Sequence, residues 1–342
     1  MKFIPSRITI LLFYMGCFCQ FLYGQDSNYI MTVKGKLAVE EMGKTLVHEH
    51  IVTNFEGTRN PNQPFKDQEK AINLILPHLN NLKTLGYTTL VECTPSHIGK
   101  NVELLQQLSE RSGINIITNT GYYAAVDKKY LPESVYSLSP QSIAATWLKE
   151  WEQGISATGI RPGFIKLGVG KGELDSIEQK IFKAGLLLGS TTGMALAVHT
   201  GDGISIKSQY RLAKKNNFDL NKLIWVHAQN GKNEERIEMA REGIWISLDG
   251  VSETRIEEYL NMIVALHDKS LLSRLLLSHD DGWSVEYTEG DLTLKPFENG
   301  NSTPYNTISE ILLKRLYEQG FSKEQIDLIF VENPKEALGI SK

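Results

Sequence analysis

The chain has 342 residues, 41% of them hydrophobic and 22% charged, with a formal net charge of −4. This is an ordinary globular balance. With no Lys/Arg-rich run and no basic–aromatic stripe, it excludes nucleic acid as the expected partner. At about 150 residues per domain the length suggests two domains, yet α/β barrels routinely pass about 250 residues as one unit.

Lys2 and Arg7 precede an apolar run over 8–23, and no acidic residue comes before Asp26. With Gly24 before Gln25, residues 1–24 are expected to be a secretory signal, the alternatives being an uncleaved anchor or a buried first helix. Cys17 after Gly16 also allows lipid attachment, although Tyr14 and Met15 are poor neighbours for one. Loss of that segment leaves Cys93 as the sole cysteine, so no internal disulfide is expected. The expected location is the periplasm or the exterior, without membrane contact once the signal is removed.

From Thr45 onward, short β-branched runs at 45–47, 88–92, 115–118, 164–167, 195–198, 223–226, 244–248 and 275–278 read as strands. Apolar residues at three- and four-residue spacing predict helices such as 68–85, 102–111, 142–154, 176–188 and 254–266. Eight alternations without a hairpin signal predict an all-parallel sheet, closed as a single (β/α)₈ (TIM) barrel domain spanning 25–342. Residues 282–305 form the longest stretch without periodicity, which predicts a functional loop or lid. Asn301-Ser302-Thr303 within it reads as a polar turn.

Histidines fall at the strand ends. His48 and His50 follow the first strand, His199 the fifth and His227 the sixth, while Asp280 lies just past the eighth. Barrel enzymes place their catalytic groups at that face, and alternate strand residues point the same way. One strand-end histidine is more often structural than a ligand; four with an aspartate predict a metal site. His78 and His267 fall on helices and are expected to be solvated; His97 and His279 sit near the mouth as neighbours. Lys166 ends an apolar run on the fourth strand, where a bare ammonium is costly. It either snorkels or pairs with an acid, or it has reacted with carbon dioxide to give a carbamate that bridges two cations.

The pattern Val47-His48-Glu49-His50, Ile165-Lys166, Val198-His199-Thr200, Val226-His227 and Ser278-His279-Asp280 resembles the phosphotriesterase-related branch of the amidohydrolase superfamily. The likeness runs from about Gly43 to Asn333-Pro334. It implies a (β/α)₈ barrel, two divalent metal ions of zinc type, hydrolysis of small esters, lactones or phosphoesters, and a homodimer. By that resemblance His48, His50 and Asp280 hold a buried ion, His199 and His227 an exposed one, and carboxylated Lys166 bridges them. A metal-bridged hydroxide is then the nucleophile, and Asp280 carries its proton to the leaving group.

Asp249, after the seventh strand, stands where the family often has an acid. Tyr123 resembles a tyrosine that lactonase members place beside the metals, or else packs the barrel top. Asp202 and His279 are further candidates for contact with substrate or ligands. Three departures matter: Gly250 stands where phosphotriesterases have a histidine and lactonases an arginine, Asn230 where those enzymes have an aspartate, and the loop Thr200-Gly201-Asp202-Gly203 after His199 differs from both groups. Together they count against an organophosphate triester or a long-chain acyl lactone as natural substrate. An N-acyl amide hydrolase and a metal-containing binding protein are the alternative readings.

Overall fold

The computed structural model describes residues 28–55, 67–288 and 291–341; the signal expected over 1–24, with Cys17, lies outside them. Two short strands, β1 (Tyr29–Thr32) and β2 (Gly35–Ala38), pair antiparallel ahead of the barrel. β3 (Thr45–Glu49) opens the barrel and β4 (Val52–Thr53) follows it. Next come α1 (Gln68–Thr84), β5 (Thr89–Glu92), α2 (Val102–Ser112) and a strand broken at Thr118 into β6 (Asn115–Ile117) and β7 (Asn119–Thr120). α3 (Ser134–Ser137) and α4 (Pro140–Gln153) lead to β8 (Phe164–Val169), α5 (Ser176–Thr192), β9 (Leu196–Thr200) and α6 (Gly203–Lys215). β10 (Leu223–Val226), α7 (Asn233–Arg241), β11 (Trp245–Leu248), α8 (Ile256–His267) and β12 (Leu275–Leu277) complete the alternation.

Parallel ladders join β3 to β5, β5 to β6, and β7 through β8, β9, β10 and β11 to β12. The (β/α)₈ barrel expected from the alternation is therefore present. Period-two alternation divides its side chains into two layers. Val47, Val91, Ile117, Phe164, Ala197, Ile224 and Leu276 fill the interior, while Leu46, Leu90, Ile165, Leu196, Ile246 and Leu275 pack outward in the larger cluster under the helices. Helix starts are specified locally. Asp175 and Glu178 form a capping box at α5, and the Asn101 side chain accepts from Leu104 N at α2.

The expectation of no hairpins is corrected. Besides β1–β2, the segment read as an aperiodic loop contains β13 (Trp283–Thr288) and β14 (Asp291–Pro296), an antiparallel pair. β13 also runs parallel to β4, with Trp283 opposite Val52. Buried Trp283 anchors the hairpin against Tyr305 and His78. His78 is thus half-buried rather than solvated. After the hairpin, a wide π turn at Ile308–Leu312 runs into α9 (Leu313–Glu318). α10 (Lys323–Asp327), a second π turn at Leu328–Glu332 and α11 (Asn333–Leu338) close the chain. No described helix is long and apolar enough to cross a membrane.

Candidate metal centre

Three local departures from regular strand geometry aim the side chains at one point. A bulge between Leu46 and Glu49 offsets the alternation, so His48 turns into the mouth directly after inward-facing Val47. His227 and Asp280 both adopt left-handed backbone, each with φ of 60°. Such conformations cost about 1–3 kcal/mol in non-glycine residues and persist where surrounding structure enforces them.

His48, His50, Lys166, His199, His227 and Asp280 all line one cavity of about 320 Å³ at the barrel mouth. The ring centroids form a chain: His50 to His48 5.5 Å, His48 to His227 5.0 Å, and His227 to His199 4.5 Å. Asp280 spans the cluster. Its Oδ1 lies 3.2 Å from His48 Nε2 and 3.1 Å from His50 Nε2, while Oδ2 faces His227 Nε2 at 4.0 Å. His48, His50 and Asp280 offer ligand atoms close enough together to share one ion.

The electrostatics suit a cation. Burial and the nearby Lys166 ammonium lower His48 and His199 to about 3, and burial beside His199 holds His227 well below the ordinary imidazole value. These rings are neutral, with lone pairs available to a metal. Burial works against the Asp280 carboxylate, but His48 and His227 hold its acidity well below the usual range. Lys166 is only 2% exposed and its Nζ has no hydrogen-bond or ion-pair partner among the described residues. A buried ammonium without a partner facing four imidazoles is an unstable arrangement unless the group changes charge. The donor set therefore fits divalent metal.

Outer contacts orient the rings. The His50 Nδ1–H donates to Thr94 Oγ1 at 2.8 Å when Nε2 keeps its lone pair for an ion. Buried Asp249 accepts from His227 N at 2.9 Å, and the same oxygen lies 3.4 Å from His48 Nδ1. Tyr123 lines the cavity with its ring 5.0 Å from that of His199. It fits there because residue 168 is glycine: a Cβ on Gly168 would collide with the Tyr123 ring.

Two sequence candidates have other employment. Both Asp202 carboxylate oxygens accept from Gly172 N at 3.1 Å, and Oδ1 also caps α6 through Ser205 N. It is a helix cap, which its place before Gly203-Ile204-Ser205 signals. His279 is fully buried, does not line the cavity, and pairs with Glu49. Most of the wall was not foreseen from sequence, including Phe297 and Asn299, delivered by the hairpin, Phe55 beyond β4, and Pro95, Val126 and Tyr130. Gln229 was missed too. Its Oε1 accepts from Asp249 N at 3.1 Å, its amide donates to Asp249 O, and its Nε2 lies 3.4 Å from His227 Nδ1.

Gln229 and the Tyr259 hydroxyl crowd Gly250, where a Cβ would meet the hydroxyl at 2.9 Å on a backbone with φ of +99°. Gly250→Ala should therefore destabilise the fold by about 1–3 kcal/mol. Thermal unfolding checks this, and an unchanged midpoint would show that the residue 250 backbone relaxes freely.

Barrel and cavity together define a metal-dependent hydrolase. The sequence profile of the Phosphotriesterase family matches residues 28–338, and the chain belongs to that family. It is similar to the Phosphotriesterase homology protein of Escherichia coli (strain K12), 27% identical over 306 residues covering 88% of this chain and 99% of that protein. N-acetyltaurine hydrolase of Xenopus tropicalis is 23% identical, covering 91% of this chain and 98% of its own. Among solved structures, an organophosphorus hydrolase from Deinococcus radiodurans superposes with TM-score 0.80 at 25% identity, covering 92% of this chain and 98% of that one. A mutant PTE-like lactonase from the same organism gives TM-score 0.80 at 26% identity, covering 91% and 100%.

Proposed function

We propose that the enzyme hydrolyses a neutral, largely apolar ester or lactone at a pair of zinc-type ions. His48, His50 and Asp280 would hold one ion, His199 and His227 the other, and Lys166 would lie between them as a carbamate. Imidazole and carboxylate donors suit zinc. When bound, the ions supply an acidified water and an electrophilic pull on the substrate's carbonyl or phosphoryl oxygen.

The observation that carries this reading is Lys166, buried and unpartnered among the other candidate ligands. The Lys166 ammonium would first lose a proton to solvent. The amine nitrogen would then add to carbon dioxide, forming the N–C bond as one C=O π bond opens onto oxygen, and a second N–H proton would leave, so that a buried cation becomes an anion with two donor oxygens. Asp280 Oδ2, on the His227 side, accepts the proton of the attacking water and returns it to the leaving group. Gly250 carries no side chain to relay that proton further, and Asn230 cannot accept one, so Asp280 serves alone.

Substrate class follows from the walls. Phe55, Pro95, Ile98, Val126, Tyr130 and Phe297 surround the ligand cluster, and among the described residues no arginine and no second lysine lines the cavity. An anionic substituent placed here is desolvated without a partner, at a cost of several kcal/mol. A neutral group gains from the same walls.

Metal analysis should find close to two divalent ions per chain. Chelator-sensitive turnover of neutral aryl esters or lactones should exceed that of carboxylate- or sulfonate-bearing counterparts by at least about tenfold in kcat/KM, a difference of about 1.4 kcal/mol. N-acyl amides belong in the same panel, since N-acetyltaurine hydrolase is among the relatives. Preference for an anionic or amide substrate overturns the ester reading, and no turnover across the panel favours a binding protein.

A further inference from the structure

On the two segments that supply His48, His50 and Asp280, the adjacent side chains form a second, buried cluster. Glu49 and His279 are both fully buried and neither lines the cavity. Glu49 Oε1 accepts from Ser278 Oγ at 2.8 Å, His279 N at 2.9 Å and His279 Nδ1 at 2.8 Å. Its Oε2 accepts from Asp281 N at 2.8 Å. Ile308 N donates to His279 Nε2 at 3.0 Å, so that nitrogen carries no proton and the ring proton sits on Nδ1, facing Glu49. Asp281 in turn accepts from Tyr305 N at 2.7 Å, and the Tyr305 hydroxyl donates to His50 O at 2.6 Å.

This cluster sits on the one barrel seam that lacks a ladder. Every other neighbouring pair of barrel strands shares parallel backbone pairing, but none joins β12 to β3 among the described residues. Besides the bonds to Glu49, isolated bonds cross it: His48 N to Ser278 Oγ at 3.0 Å, Asp280 N to His48 O at 3.2 Å, and His50 N to Asp281 O at 2.7 Å. The same seam separates Asp280 from His48 and His50. Glu49, His279 and Asp281 have the donor spacing of a cation site. Hydrogen bonds within the protein already engage their polar atoms, so the cluster reads as a clamp.

We propose that Glu49 and His279 are positioning residues for the metal centre: a buried carboxylate–imidazole clamp that replaces the missing ladder and sets the distance of Asp280 from His48 and His50. This rests on the ligand set proposed above. In Glu49→Gln one carboxylate oxygen becomes an NH₂ that must face a backbone or side-chain donor, so the clamp is broken by a near-isosteric change. His279→Gln can still offer Ile308 N an acceptor through its Oε1, but it loses the Nδ1–H that donates to Glu49 Oε1.

The test titrates metal-free parent and variants with Zn²⁺ against a chromophoric chelator, and with Co²⁺ while recording the visible ligand-field spectrum. The expected result is a loss of about 10–100-fold in affinity for one ion in either variant. An altered Co²⁺ spectrum with unchanged far-UV circular dichroism should accompany it, and the double variant should be little worse than either single one. Folded variants with parental affinity and spectrum overturn the clamp. Should they fail to fold, Tyr305→Phe, which deletes only the hydroxyl bond to His50 O, must still alter the Co²⁺ spectrum; a parental spectrum there overturns the proposal equally. A parent that binds neither ion refutes the ligand set itself, a distinct outcome.

Discussion

Asp280→Asn should reduce kcat by about 10²–10⁴-fold, with KM changed far less. The substitution keeps the shape and one carbonyl oxygen toward His48 and His50, so ion binding on that side weakens without being abolished. It removes the only carboxylate that lines the cavity among the described residues, one that reaches His48 and His50 through Oδ1 and His227 through Oδ2. No neighbour can substitute as proton acceptor. Asp249 is buried with its oxygens committed to His227 N and the Ser247 hydroxyl, and Asp202 caps α6. Steady-state kinetics at saturating metal, with metal content measured on the same sample, read the effect. A kcat within threefold of parent at full metal occupancy would remove Asp280 from the proton path and leave it a ligand only.

The candidate ligand set was legible because it depends on two short-range regularities: where a β-branched run stops, and the residue that follows. His48, His50, His199, His227 and Asp280 are all strand-end residues, and all five line the cavity. The reason three of them point inward was not legible. Strict alternation gives no warning of the bulge before Glu49, nor of the left-handed backbone at His227 and Asp280. Those conformations are imposed by tertiary bonds, such as Asp249 receiving His227 N and His48 O receiving Asp280 N. No local propensity encodes them.

The hairpin at 283–296 was hidden for a related reason. Its β13 strand draws stability from β4 and from the burial of Trp283 against Tyr305, contacts more than a hundred residues apart or beyond the strand itself. Glu49 was hidden in plain view between two histidines, where it looked incidental. An acid between paired ligands, matched by a histidine directly before the distant aspartate, is the pattern that could have exposed it. Asp202 is the converse case. Its cap role is written locally in the residues that follow, although it stands three residues from His199.

Lys166→Met separates two descriptions of the same residue by the sign of the result. Methionine matches the length and apolar stem of lysine but carries no charge, and the site is already buried, so packing changes little. If residue 166 is an ammonium in the active protein, it repels cations held by the imidazoles around it, and methionine should tighten metal binding. If it is a carbamate, methionine removes an anion and two donor oxygens from between the two histidine pairs. Metal content should then fall from close to two ions per chain toward one or none, and turnover should drop by at least about 10³-fold, a loss of about 4 kcal/mol. Chelator competition on apo and reconstituted protein gives the sign directly. Reconstitution of the parent in carbon-13 bicarbonate should add a carbamate carbonyl resonance that the variant lacks. Tighter binding in Lys166→Met, or no such resonance in a fully metallated parent, would leave Lys166 a bystander and the two ions without a bridge.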